Sequence, residues 1–157
     1  LAFNLFTSST SDKRLKEVGG LFLFVYLSPR EMKIVDGCMH ERSYLRDEVI
    51  FDEGEEGQAI YFILEGRVKI CRHGQGDSPI AELGRGDFFG ELALLDNAPR
   101  MAQARAAENC SLAVFFRGDF LGLMHSHALI ASKIALQLAR HLGVRLRGSA
   151  PQQASMS

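Results

Sequence analysis

Between residues 43 and 116 the chain is broken into short apolar runs by glycines, and this punctuation limits the fold more than any other feature. The runs are Tyr44-Leu45, Val49 to Phe51, Ile60 to Leu64, Val68 to Cys71, Ile80 to Leu83 and Leu112 to Phe116. Gly54, Gly57, Gly66, Gly74, Gly76, Gly84 and Gly86 lie among them. Short runs rich in β-branched and aromatic residues, bounded by turn formers, read as strands. Parallel strands would need crossover helices between them, and no gap holds one. The pattern therefore predicts an antiparallel sandwich, jelly roll or small barrel.

Helical spacing appears on both sides of this stretch. Ser28 can cap a helix, Pro29 suits its first position and Glu31 completes a capping box. Met32, Val35 and Met39 follow on one face, which predicts a helix over residues 29–41. Lys13 to Val18 reads as a short helix ended by Gly19-Gly20, and the Ser/Thr cluster Thr7 to Ser11 as loose chain. From Asp119 the helical period returns, first with Phe120, Leu123 and Met124. Leu129, Ile130, Ile134, Leu138, Leu142 and Leu146 then form a long amphipathic stripe. Gly143 weakens its last turns, since glycine costs about 1 kcal/mol relative to alanine there. The expected organisation is an N-terminal extension over 1–20, one domain over 21–147 and a small polar tail over 148–157, expected to be disordered.

Charge and cysteine content narrow the function classes. With 18 basic and 19 acidic residues, the net charge of -1 offers no global field to attract nucleic acid. The longest apolar run, Leu21 to Leu27, has seven residues, against about 20 for a membrane span, and reads as a core segment. Cys38, Cys71 and Cys110 are far apart and odd in number, which predicts reduced thiols in a cytoplasmic protein.

The chemistry concentrates in Phe88 to Ala102, between two strands. Gly90 to Leu95 reads as one helical turn opening on a glycine, where free N–H groups make an anion site. Gly90 allows a ligand to approach the backbone. Glu91 is an acceptor suited to a ribose hydroxyl, the use that dinucleotide-binding folds make of an acidic residue. Arg100 offers a charged fork for a phosphate, and Pro99 stiffens the chain before it. For Glu91 and Arg100 alone, a surface ion pair of about 0–1 kcal/mol is the competing reading.

The run FGELALLDNAPRMAQARA, from Phe89 to Ala106, closely resembles the phosphate-binding cassette of cyclic-nucleotide-binding domains. That family's pattern is FGE-[LIVM]-AL, a spacer, PR-x-A and a strand ending in alanine. Glu48 to Gly54 and Tyr61 to Val68 resemble its first strands, and the likeness covers about residues 22–147. The resemblance implies an α+β fold. It is an antiparallel β-roll (jelly-roll-like, about eight strands) with an N-terminal helix, a short cassette helix and a long C-terminal helix. It implies a regulatory module, not an enzyme, whose ligand is a cyclic nucleotide, cAMP first. Glu91 would accept from the ribose 2′-hydroxyl and Arg100 would pair with the phosphate. Backbone groups of Gly90, Leu92, Ala93 and Met101 would complete the cradle, beside Ala102. Met101 carries no hydroxyl, unlike the threonine common in cGMP-binding members. Val144 and Arg145 lie where the base would meet the final helix, which in the family moves as a lid or pairs with its copy in a dimer.

Other sites carry less. His125-Ser126-His127 falls in helical sequence rather than on a strand, and Cys71-Arg72-His73 reads as a turn, so no metal or haem is expected. Glu41, Glu48, Asp52, Glu53, Glu55 and Glu56 read as a solvated acidic rim. The ten residues after Arg147 are too few for a helix-turn-helix, so no DNA-reading element is expected in this chain. Two alternatives stand: the sensor half of a Crp/Fnr-type regulator lacking its DNA-binding domain, and a ligand-free dimerisation scaffold.

Overall fold

The computed structural model describes residues 13–18, 21–73 and 78–149. The expectations for Thr7 to Ser11, Gly19-Gly20, Gly74, Gly76 and residues 150–157 lie outside them. Residues 13–18 are helical (α1), followed by a 3-10 turn at Phe22–Phe24 and α2 at Pro29–Gly37. Eight strands follow: β1 His40–Tyr44, β2 Val49–Phe51, β3 Ala59–Glu65, β4 Val68–Cys71, β5 Ala81–Leu83, β6 Phe88–Phe89, β7 Gln103–Ala106 and β8 Cys110–Phe116. A 3-10 turn at Glu91–Leu94 separates β6 from β7, and the chain closes with α3 at Arg117–Ser126 and α4 at Ala128–Ser149. No helix among the described residues is long and apolar enough to cross a membrane.

The strands form two four-stranded sheets, ordered β1-β8-β3-β6 and β2-β7-β4-β5, and every pairing is antiparallel. Strand alternation sorts the side chains between two cores. Ile60, Phe62 and Leu64 of β3, with Ala113 and Phe115 of β8, pack against the helices beside Phe24, Val35, Phe120, Ile134 and Leu138. Ile63 and Leu112 point the other way, into the roll, with Phe51, Val68, Phe89 and Ala104. Because β3 is buried on both faces, its sequence is a nearly continuous apolar run.

Helix α2 begins as expected. The Ser28 hydroxyl accepts from the Glu31 N–H at 3.2 Å, and the Ser28 N–H donates to Glu31 Oε1 at 3.0 Å. It ends at Gly37 rather than near residue 41. His40 pairs with Val114 at the start of β1, and that ladder takes residues whose spacing alone suited a helix. Of the run Leu21 to Leu27, only Leu23 and Phe24 are buried, while Phe22, Val25 and Tyr26 stay largely exposed. Helix α4 continues through Gly143 and over Gly148 and Ser149, two residues assigned above to the tail. Its buried stripe is Ile130, Ile134 and Leu138, whereas Leu129 and Leu146 face outward.

Candidate functional site

A cavity of about 590 Å³ opens on one side of the roll, walled by β4 to β6, the Gly90–Ala102 segment and the far half of α4. Gly90, Glu91, Leu92, Ala93, Arg100, Met101, Ala102 and Arg145 all line it. Val144 does not line it and is largely exposed.

The cassette turn starts from an unusual backbone. Gly90 has φ +76 and caps the 3-10 turn Glu91–Leu94, a conformation that only glycine adopts freely. A Cβ there would stand 2.6 Å from Arg100 Nη1. Gly57 meets the same neighbourhood from the β2–β3 loop, its ideal Cβ 3.0 Å from that of Ala93 and 3.3 Å from the Arg100 guanidinium. The turn is 3-10 rather than α, and the Ala93 N–H is already donated to the Gly90 carbonyl at 3.2 Å.

Arg100 is fixed from its main chain outward. Its N–H donates to the Glu55 carbonyl at 2.7 Å and its carbonyl accepts from Gly54 at 2.8 Å, while Pro99 bridges Glu56. Its side chain donates through Nη1 to the Gly90 carbonyl at 3.2 Å and through Nη2 to the Ala59 carbonyl at 2.8 Å. The guanidinium lies 4.0 Å above the Phe51 ring centroid, a cation–π distance. Burial pulls its pKa below the ordinary arginine value, against the opposing pull of Tyr61 and Glu55. Arginine is still charged at neutral pH. Its Nε is buried with no hydrogen-bond partner.

Glu91 is buried and is not paired with Arg100. Its Oε1 accepts from Arg145 Nη1 and lies 3.5 Å from His141 Nε2. The competing reading of a Glu91–Arg100 surface pair is therefore set aside. The His141 ring sits 4.8 Å from that of Phe88 and 6.3 Å from that of Phe22.

Arg117, at the start of α3, clamps the cassette from below. Its Nη1 donates to the carbonyls of Gly57 at 2.8 Å and Ala93 at 3.2 Å, and reaches that of Asp96.

Sequence reading missed Gly57, Arg117 and His141. His141 left a signal: it stands one turn before Arg145, on the face that Ile134 and Leu138 define. Gly57 and Arg117 meet partners far away in the chain and left none.

The weaker candidates fall elsewhere. Cys71 ends β4, Arg72 lines the cavity, and the His73 N–H donates to Glu53. His125 lies in α3 and His127 caps it. Among the described residues no three His, Cys, Asp or Glu side chains gather as a metal site. Cys38, Cys71 and Cys110 are free thiols, with burial pushing the pKa of Cys38 and Cys110 up. The six carboxylates of the acidic rim are all exposed.

Comparison with known proteins agrees with this architecture. The model of the cyclic nucleotide-binding domain matches residues 41–127. The cyclic AMP receptor protein of Thermus thermophilus is 38% identical over 122 residues, 76% of this chain and 56% of that protein. The cAMP-dependent protein kinase regulatory subunit of Mycosarcoma maydis is 41% identical over 86 residues, 54% of this chain and 16% of the subunit. This chain thus spans about half of the first relative and a small part of the second.

Among solved structures, the Thermus thermophilus catabolite activator protein aligns with a TM-score of 0.74 at 34% identity, covering 86% of this chain and 62% of that one. The N-terminal domain of a transcriptional regulator from Streptomyces coelicolor A3(2) aligns with a TM-score of 0.75 at 25% identity, covering 84% of this chain and 94% of that one. With its two-sheet roll, its interrupting cassette and a family match over more than half its length, the chain belongs to the cyclic nucleotide-binding domain family.

Proposed function

We propose that the cavity binds cAMP and that the chain is a sensor module rather than an enzyme. In this reading the cyclic phosphate sits at Arg100 and the ribose 2′-hydroxyl donates to Glu91. Backbone groups of Gly90, Leu92 and Met101 complete the cradle, and the Ala93 N–H exchanges the Gly90 carbonyl for a phosphate oxygen. The observation that carries it is the buried, unpartnered Nε of Arg100 in a guanidinium that lines the cavity. Leaving a buried donor unpaired costs about 1–3 kcal/mol, and an anionic oxygen would recover that cost. Adenine is favoured over guanine because no Ser or Thr is among the lining residues described.

The output we propose is movement of α4, read by a second copy or by a downstream protein in the cytoplasm. The exposure of Leu129, Leu136 and Leu146 on α4 favours pairing with the same helix of a second copy. Such pairing would serve equally in the sensor half of a Crp/Fnr-type regulator.

Calorimetric titration of the wild type and Arg100→Ala with cAMP and cGMP tests the reading. Removing a buried phosphate partner is expected to cost roughly 2–5 kcal/mol, at least about tenfold in affinity. Absence of heat and of thermal stabilisation with both nucleotides would reject it in favour of a ligand-free scaffold.

A further inference from the structure

Glu91 is the acceptor that a ribose would need, and it is already taken. Arg145 Nη1 donates to its Oε1, and His141 Nε2 stands 3.5 Å from the same oxygen. The two partners differ sharply in exposure: the Glu91 side chain is 8% exposed and that of Arg145 is 62% exposed. A buried carboxylate left without donors is costly, so Glu91 must always have one. A largely exposed guanidinium gives up one carboxylate at little cost. When another donor arrives, Arg145 is the group that leaves.

We propose that Arg145 is an internal competitor for the ribose, holding Glu91 until a ligand hydroxyl displaces it. The inference rests on the reading of the cavity as a nucleotide site.

The helix is anchored on the near side of Arg145. His141 is held between the Phe88 and Phe22 rings as well as beside Glu91, so it stays anchored when Arg145 departs. Gly143 lies between them, in the weakest helix former short of proline. Its missing Cβ would meet only Arg147 Nη1, at 3.5 Å, so packing does not require a glycine there. Before it, Ile134 and Leu138 fix α4 in the core and Lys133 bonds Glu31 at 2.7 Å. Arg145 therefore stands beyond the part of α4 that the core anchors.

Competition gives Arg145 a sign opposite to that of a lid contact. A residue that only covers the bound base raises affinity, so its removal weakens binding. A residue that blocks Glu91 lowers affinity, and only for ligands that use Glu91.

The test is calorimetry of wild type and Arg145→Gln with cAMP and with 2′-deoxy-cAMP. We expect Arg145→Gln to bind cAMP about three- to tenfold more tightly and 2′-deoxy-cAMP as the wild type does. Weaker cAMP binding by Arg145→Gln, or an equal change for both ligands, would overturn the competitor. If the wild type binds neither nucleotide, the nucleotide reading falls and the ribose competitor with it. If it binds cAMP normally while Arg145→Gln behaves as wild type, only the competitor falls.

Discussion

Arg100 is held by main-chain carbonyls, whereas Glu91 is held by side chains that arrive from α4. The first arrangement cannot move without disturbing strands: Gly90 and Ala59 supply the acceptors, and Glu55 and Gly54 pin the arginine's own backbone. The second depends on the outer half of a helix, with one partner largely in solvent. One cavity thus joins a rigid wall to an exchangeable one. The rigid wall suits holding a fixed charge, and the exchangeable wall suits reporting that the charge has arrived. A ligand shifts such an equilibrium only by its differential affinity for the two states.

The largest effect is expected from attacking the rigid wall through its glycine. In Gly90→Ala, the methyl group meets Arg100 Nη1 at 2.6 Å in a backbone at φ +76. Urea denaturation should show a loss of about 1–3 kcal/mol, and nucleotide affinity should fall with the displaced guanidinium. Unchanged stability and affinity would mean that the wall yields.

A smaller loss, about 1–2 kcal/mol, is expected for Arg117→Gln, which releases the carbonyls of Gly57, Ala93 and Asp96. Thermal unfolding measures it. If the cassette is clamped from below as described, the variant also loosens the binding of both cAMP and 2′-deoxy-cAMP, unlike Arg145→Gln.

The smallest effect lies on the anchored half of α4. The hydrogen bond from Lys133, helped by the Ser28 backbone, lowers the Glu31 pKa from 4.5 to about 2. The unfolded chain takes up the proton more readily, so the contribution of Glu31 to stability is full above about pH 4.5 and is lost as pH falls toward 2. The advantage of wild type over Glu31→Gln in acid unfolding should vanish across that window, while nucleotide affinity at neutral pH stays unchanged.

The rigid wall was far more legible in the sequence than the exchangeable one. FGELAL and PR are local words, and the glycine, glutamate and arginine they contain all line the cavity. The strands were legible where one run filled one strand, as in Val49–Phe51 and Val68–Cys71. They were illegible where pairing overrode local spacing. His40 to Tyr44 was divided between a helix and a strand because only its partner in β8 fixes it as one strand. The two residues of β6 were hidden inside the cassette for the same reason. Glu91 was visible, but its partners lie 50 and 54 positions away. Nothing near Glu91 says that Arg145 reaches it while the neighbouring Val144 faces away.

The burial of β3 on both faces has a consequence for how the molecule comes apart. Phe62 belongs to the helical core and Ile63, the next residue, to the core of the roll. Leu112 and Ala113 divide in the same way on β8. A backbone segment cannot remain ordered for one neighbour and be lost for the other. The two cores therefore share one melting event, and the helical layer cannot detach as an independent unit while the roll survives. Only segments that contribute to neither core can open alone.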